Sequence, residues 1–278
     1  MLISMDEIRT IIYDHELHIE AYHFQGIMQK FPNHFHEHYV IGFIEKGKRH
    51  LCCRGEDFII TPGDLLLFNL RDNHSCEQID GRTLDYRCLN ICQEIMQQAV
   101  CDITGTAALP CFCRPVVFHS DIIPQLHELH SKIMRKEKDF RKEELFFFLI
   151  EELIKNYAGQ TILFSGQENT AAVKAAAGFL ERNYMRTITL DELSSLTGVS
   201  KYYLLRSFTR QKGISPYSYL ETVRITQAKK LLAGGMTPSE TALETGFSDQ
   251  SHFSHFFKKF IGLTPGQYTA VFKELEKE

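Results

Sequence analysis

The last hundred residues contain one unit written twice. Gly198-Val-Ser-Lys-Tyr-Tyr-Leu-Leu-Arg-Ser-Phe208 followed by Gly213-Ile-Ser-Pro-Tyr-Ser-Tyr219 matches Gly246-Phe-Ser-Asp-Gln-Ser-His-Phe-Ser-His-Phe-Phe257 followed by Gly262-Leu-Thr-Pro-Gly-Gln-Tyr268, with one extra residue in the second copy. Each copy is punctuated as a set of short helices. Thr189 with Glu192, Thr237 with Glu240 and Thr264 with Gln267 have capping-box spacing, in which a hydroxyl and an acid or amide exchange hydrogen bonds with otherwise unpaired backbone donors. Pro238 and Pro265 stand at the first helical position, where a missing N–H costs nothing. Gly198 and Gly246 fall where a short helix must end and turn, and Ser200 and Ser248 are placed to cap the helix that follows. Short helix, glycine turn and capped second helix make a helix-turn-helix. His252 and His255 lie three apart in the second copy, but no further ligands accompany them, so the pair is not read as a metal site.

The segment Thr237-Pro-Ser-Glu-Thr-Ala-Leu-Glu-Thr-Gly-Phe-Ser-Asp-Gln-Ser-His-Phe-Ser-His-Phe-Phe-Lys-Lys-Phe-Ile-Gly-Leu-Thr-Pro-Gly-Gln-Tyr268 resembles the signature of AraC/XylS-type transcription regulators. The first copy and Arg224-Ile-Thr-Gln-Ala-Lys-Lys-Leu-Leu232 extend that resemblance over roughly residues 171 to 270. It implies two helix-turn-helix units joined by a long helix; double-stranded promoter DNA and RNA polymerase are the expected partners, and activation is the expected sign of control. From Pro216 to Leu232 the joining helix has 17 residues, about 25 Å at 1.5 Å per residue. Adding the width of the two units lets both second helices reach successive major grooves, which recur every ~34 Å.

On the first recognition helix Leu204 and Phe208 are i,i+4 partners pointing inward, which leaves Lys201, Tyr202, Leu205 and Arg206 to be divided between DNA and solvent. The resemblance places Tyr202 and Arg206 at base-reading positions, and a guanidinium suits the bidentate contact to guanine O6 and N7. On the second helix Phe253 and Phe257 are the inward pair, and the resemblance places Gln250, Ser251 and His255 toward the groove. Relatives commonly carry Arg at the last of these, so His255 implies weaker or altered reading. Lys201, Arg210, Lys258 and Lys259 are placed for phosphate, which adds affinity without sequence information.

Before about residue 115 the pattern is that of short strands: Tyr39-Val-Ile-Gly-Phe-Ile44, Phe58-Ile-Ile60, Leu65-Leu-Leu-Phe68 and Pro115-Val-Val-Phe118, with Gly, Pro, Asn and Asp between them. Closely spaced short strands suggest a barrel or sandwich. Alternation from Phe31 to Gly47 projects His34, His36 and His38 to one side of a strand. His34 and His36 with Gly47 resemble the first cupin motif, and Gly63 with His74 the second. A metal-binding cupin adds a Glu four residues beyond its second His, and that position is Val40. At most His34, His36 and His74 remain as a three-nitrogen set. The resemblance to sensory cupins therefore implies a small organic effector inside the barrel, without metal or cofactor, held by polar contacts from His34, His36, Arg71, His74 and Tyr86.

From Asp121 the period becomes helical. Ile122, Leu126, Leu129 and Ile133 form one stripe and Leu145, Phe148, Leu149, Glu152 and Leu153 a second, joined near Lys138 and Asp139. Their apolar excess makes them either packing for their own domain or a contact for a second copy, and a homodimer is expected. The fold class is α+β: a cupin-like β-barrel over residues 1–118, a helical dimerisation segment and linker over 119–169, and an all-α tandem helix-turn-helix over 170–278.

Charge supports the division. From Thr170 onward the chain has 14 Lys+Arg against 10 Asp+Glu, net +4, while the remainder carries −8; the basic half is the one that meets an anion. Eight cysteines all precede residue 114 and lack paired zinc spacing, so they read as small buried or half-buried thiols. No apolar run approaches the roughly 20 residues of a membrane span, and the first residues lack the pattern of a signal peptide, which leads to a cytoplasmic expectation. The expected function is a ligand-responsive, sequence-specific DNA-binding regulator, not an enzyme. The alternatives are a metal-dependent cupin enzyme with a helical appendage and a thiol redox regulator using Cys111 and Cys113.

Overall fold

A computed structural model describes residues 7–159 and 169–275. The chain divides into two compact units, Met1–Gly166 and Gln167–Glu278. Most of the linker expected between Gly159 and Thr170 lies outside the described residues.

The first unit is built on two antiparallel sheets. Strands β1 (Ile8–Asp14), β2 (Ile19–Ile27), β4 (His38–Lys46), β7 (Leu65–Phe68), β9 (Leu84–Cys92) and β10 (Val116–Val117) form one, in the order β1-β2-β9-β4-β7-β10. Strands β3 (Phe31–His34), β5 (Arg49–Cys53), β6 (Glu56–Ile60) and β8 (His74–Gln78) form the other, in the order β3-β8-β5-β6. Strand period sorts the side chains: Val40 and Ile44, Leu51 and Cys53, Leu66 and Phe68, and Leu84 and Cys88 enter one shared core. The intervening Ile41, Phe43, Leu65, Leu67, Leu89 and Ile91 are equally buried. Helices α1 (Gln93–Thr104) and α2 (Ile123–Met134) lie against strands of the larger sheet, so β4 and β9 are covered on their outer face, and β7 is buried along its whole length.

That double burial explains what pattern reading caught and missed. The anticipated strands over Tyr39–Ile44, Phe58–Ile60 and Leu65–Phe68 are present, and the fourth is shortened to Val116–Val117. Strands β1, β2, β5, β8 and β9 were not anticipated. A register shift between Phe24 and Ile27 breaks the alternation of β2, and α1 follows β9 directly, with Cys92 at its N-cap making no side-chain cap.

Helix α3 (Arg141–Tyr157) packs on α1 and α2. Ile122, Leu126, Leu129, Ile133, Leu145, Leu149 and Leu153 are buried, Phe148 and Glu152 of the second stripe are half-buried, and α2 and α3 expose no large apolar side chain. Of the two uses expected for this apolar excess, most of it serves packing inside the unit. Lys142, on α3, donates to Asp14 at 2.5 Å and lies 2.7 Å from Glu16, which ties this helix to the end of β1. The segment 119–159 consequently belongs to the first unit and is no separate domain.

The second unit is all helix: α4 (Thr170–Asn183), α5 (Leu190–Thr197), α6 (Lys201–Lys212), α7 (Pro216–Ala233), α8 (Pro238–Glu244), α9 (Gln250–Ile261) and α10 (Pro265–Leu275). Both capping boxes at Thr189 and Thr237 are closed in both directions, and Gln267 and Thr264 bond reciprocally. Ser200 caps α6 as expected, accepting from the Tyr203 amide. At the second copy the cap is Asp249, not Ser248; its carboxylate accepts from the His252 amide at 2.8 Å, and Ser248 donates to that carboxylate instead.

Candidate nucleic-acid interface and effector cavity

Helices α5 and α6 form the first helix-turn-helix, and α8 and α9 the second. Between them runs α7, whose 18 residues span about 27 Å. Its C-terminal half supplies Ile225, Ala228 and Leu232 to a core with Ala242, Phe247, Phe253 and Phe257. Its N-terminal half holds Tyr219, whose ring meets Phe208 of α6 edge-on at 5.4 Å. Arg224 lies midway and is buried; its Nε donates to the Tyr184 carbonyl at 2.9 Å and its Nη2 to the Arg186 carbonyl at 3.0 Å. The same guanidinium sits 5.8 Å from the centre of the Phe247 ring. One side chain therefore fastens the joining helix to the α4–α5 loop and to the turn of the second copy.

The inward pairs Leu204 with Phe208 and Phe253 with Phe257 are fully buried. On α9 Gln250, Ser251, His255, Lys258 and Lys259 are exposed, and so is Phe260. On α6 the picture needs correction. Tyr202 is only 3% exposed and Leu205 is 0% exposed, so neither ring nor chain is presented for reading. The Tyr202 hydroxyl instead accepts from Arg206 Nη1 at 3.3 Å, which makes the tyrosine a support for that guanidinium. Spacing alone could not reveal this, because a stripe wider than the i,i+4 pair is buried. Lys201 is 2.9 Å from Asp191, a half-compensated cation and not an open one, while Arg210 is exposed.

In the first unit a cavity of about 140 Å³ opens inside the sheets. Its walls are apolar, from Phe24, Val40, Ile44, Leu51, Leu66 and Phe68, and its polar groups are His34, His36, His74, Tyr22, Tyr86 and Asn90, with the thiols of Cys76 and Cys88. The expected histidines and Tyr86 are thus brought together. Arg71 is not: it sits exposed on a turn and its Nε donates to Glu37 at 3.1 Å. Sequence reading missed Tyr22, Cys76, Cys88 and Asn90, although the alternation Leu84, Tyr86, Cys88, Asn90 along β9 was the available signal.

The histidines do not come from one strand. His34 ends β3 and pairs in register with His74 of β8, His36 lies in the break before β4, and His38 begins β4. Burial, with the His74, His38 and His34 rings beside it, pushes the His36 imidazolium down to about 4, and burial lowers His74 as well. Both rings are neutral at neutral pH. Burial likewise holds the Tyr86 phenol well above its ordinary value, so it stays a hydroxyl donor. A Cβ on Gly42 would fall 2.5 Å from that hydroxyl, so glycine at 42 is what admits the Tyr86 ring to the core. All eight cysteines are free thiols; Cys53, Cys76 and Cys88 are buried, whereas Cys111 and Cys113 are exposed, unlike the buried or half-buried state expected of all eight.

Comparison with known proteins bears on both units. An AraC-like ligand binding domain matches residues 16–150, and a helix-turn-helix domain matches residues 193–270. The uncharacterized HTH-type transcriptional regulator YbfI of Bacillus subtilis is 59% identical over 247 residues, covering 89% of this chain and 90% of that protein. The chain belongs to the AraC family of transcriptional regulators. A second relative of this AraC-type chain, the uncharacterized HTH-type transcriptional regulator SACOL0084 of Staphylococcus aureus, is 27% identical over 249 residues; the match covers 82% of this chain and 31% of that longer protein. Among solved structures, a probable AraC family transcriptional regulator from Rhodopseudomonas palustris is 32% identical, with 37% of this chain and 98% of that one covered and a TM-score of 0.36. The AraC-type chain thus pairs a ligand-binding domain with a DNA-binding one, and none of its described helices is long and apolar enough to cross a membrane.

Proposed function

We propose that this AraC-type chain is a ligand-responsive, sequence-specific activator that reads two successive major grooves with α6 and α9 while a small effector occupies the cavity of the first unit. The observation that carries this reading is the pair of capped recognition helices held on one joining helix, with Arg224 bonded to the loop before the first copy and stacked on the turn of the second. Arg206 reads guanine, Gln250 reads adenine, and Ser251 and His255 make single contacts. Arg210, Lys258 and Lys259 neutralise phosphates, and Lys201 joins them only by exchanging Asp191 for a phosphate. Effector binding acts by favouring one of two arrangements that differ in DNA affinity, and it must bind the two unequally to do so. The bound regulator then recruits RNA polymerase.

The cavity supports a binding role over turnover. Val40, where a metal-dependent cupin has its carboxylate ligand, is apolar and forms part of the wall. Homodimerisation through α2 and α3 would rest on their half-buried side chains Ile123, Met134 and Phe148, since most of their apolar residues are buried within the unit. A mobility-shift titration on the DNA upstream of the protein's own gene tests the reading. Salt-sensitive binding that prefers that DNA over random sequence, and that Arg206→Ala weakens, is expected; equal affinity for both DNAs at moderate salt would refute it.

A further inference from the structure

Residues 111–113 form a strap across the end of α3. Phe112 and Ala158 make an isolated antiparallel bridge. On one side of it the Cys113 amide donates to the Tyr157 carbonyl at 2.9 Å, and on the other the Gly159 amide donates to the Cys111 carbonyl at 3.1 Å. The Phe112 ring is fully buried, and its backbone is held from elsewhere. Asn69 Oδ1 accepts from its amide at 2.7 Å, while Asn69 Nδ2 and Arg54 Nη1 donate to its carbonyl at 3.0 and 3.2 Å. Alternate side chains of an extended segment share a face, so a buried Phe112 leaves Cys111 and Cys113 together on the outer one, and both thiols are exposed. A Cβ on Gly159 would fall 2.8 Å from the Cys113 sulfur. Since Gly159 bonds to Cys111 across the bridge, that sulfur leans toward the Cys111 end of the strap, over the space a side chain would fill. The other six cysteines are buried or half-buried. Burial pushes the thiols of Cys53 and Cys76 up to about 11 and that of Cys88 up to about 12, which leaves these three protonated and slow to react.

We propose that Cys111 and Cys113 are an oxidisable dithiol whose reactant is a peroxide, and that closing their disulfide frees residues 157–159 from the strap. The thiolate of one cysteine attacks a peroxide oxygen; the O–O bond breaks, water leaves and a sulfenic acid forms. The second sulfur then displaces the hydroxyl from the first, so that the S–S bond forms and a second water leaves. Two thiols and one hydrogen peroxide thus give one disulfide and two waters, with two electrons passing from sulfur to oxygen. A small dithiol reverses the change by exchange. Geometry converts this chemistry into movement. Cα atoms two residues apart in an extended strand stand roughly 6.6 Å apart, at the far end of what a disulfide spans, the usual separation being about 5.5–6 Å. Closing the bond therefore draws Cys111 and Cys113 together around a Phe112 that Asn69 and Arg54 hold in place. The bonds that give are those made by the cysteines' own backbone, to Tyr157 and Gly159. The linker to Thr170 follows Gly159, so release lengthens the tether of the DNA-reading unit.

The dithiol stands apart from the effector cavity and the DNA contacts, and its test passes through neither. The full chain, reduced and desalted, is treated with hydrogen peroxide, and its peptides are mapped by mass without reduction. The peptide holding both cysteines is expected to lose two hydrogens before any other thiol is modified, to regain them with dithiothreitol, and to be shielded by phenylarsine oxide, which bridges neighbouring thiols. In Cys111→Ser the remaining thiol is expected to stop at a sulfenic acid that dimedone traps. Oxidation should lower hydrogen-exchange protection at the Gly159 and Cys113 amides on the order of 5-fold, the worth of one backbone hydrogen bond. The chain carrying both Cys111→Ser and Cys113→Ser, its fold checked by its unfolding curve, should keep its protection under the same peroxide. Earlier oxidation of a half-buried cysteine, links between chains in place of the internal one, or sulfinic acid without a disulfide would overturn the modification site. A disulfide that forms while both amides keep their protection would overturn the release.

Discussion

The two helix-turn-helix copies differ in length by one residue, and the structure puts that residue in the turn. In the first copy Gly198 takes φ 67° and its amide bonds the Ser194 carbonyl, then Val199 leads straight to the Ser200 cap. In the second, Gly246 bonds Leu243 and Phe247 bonds Ala242, a longer wrap of the kind known as a Schellman motif, and Ser248 intervenes before the Asp249 cap. The extra residue brings Phe247 into the core with Phe253 and Phe257, whereas Val199 remains half-buried. It also presses Gly246 against the α4–α5 loop. The lesson is that duplicated units keep their recognition helices and diverge where they attach: the second is bolted to the joining helix through its turn, the first through the end of its recognition helix.

The largest break in that comparison comes from the glycines. At both, alanine must adopt a left-handed backbone, at about 1–2 kcal/mol. At Gly198 the new Cβ meets nothing within 4 Å, but at Gly246, with φ 77°, it lands 2.6 Å from the Tyr184 carbonyl and 2.9 Å from that of Met185. Urea unfolding should therefore show Gly246→Ala losing about 3 kcal/mol or more and Gly198→Ala only the left-handed cost. Equal losses would mean the second turn is not pinned as described.

Arg224→Met removes both donors to the Tyr184 and Arg186 carbonyls. A loss of about 2 kcal/mol is expected, together with weaker binding to a site containing both half-sites but little change for a single half-site. A mobility shift with matched probes separates the two.

The reading residues sharpen the contrast further. Arg206→Ala should weaken DNA binding about 10- to 100-fold and relax preference at one position, as loss of a bidentate pair costs roughly 1–3 kcal/mol. His255→Ala should cost less than about 10-fold, and His255→Arg should strengthen binding where guanine faces it. Tyr202→Phe, which keeps the buried ring and removes the hydroxyl under Arg206, should cost a small fraction of the Arg206 effect; an equal loss would restore the tyrosine as a direct reader.

The smallest predicted difference is in pH. The Asp249 carboxyl is held below the ordinary carboxylate range, first by the His252 amide and then by the Ser248 hydroxyl. A group whose folded value is depressed stabilises fully above its unfolded value and is lost as pH falls through the folded one. Acidification through that window should lower the protection factor of the His252 amide, the exchange rate of an unstructured peptide at the same pH divided by its own, but not that of the Tyr203 amide, whose cap is the uncharged Ser200 hydroxyl.

Caps, turns and i,i+4 pairs were legible in the chain because each depends on partners within three or four residues, and all three capping boxes formed as spaced. The same locality explains the one cap misplaced: Ser248 and Asp249 are both good acceptors, and only the wrap of the preceding turn selects between them. Tyr202 was misread because burial depends on what packs over a side chain, which its own helix does not encode. Arg71 and the histidines show the same limit from two sides. Residues 34 and 74 meet because β3 pairs with β8, a contact made across forty positions, while Arg71, three residues from His74, turns outward to Glu37. Whether the apolar excess of α2 and α3 faced inward or outward likewise waited on the larger sheet beneath it. The sequence by itself determined the two DNA-reading units and the strand-rich effector domain, since periodicity and capping are short-range. Which side chains line the cavity, and which of the helical residues stay exposed, was decided only when distant elements closed over one another.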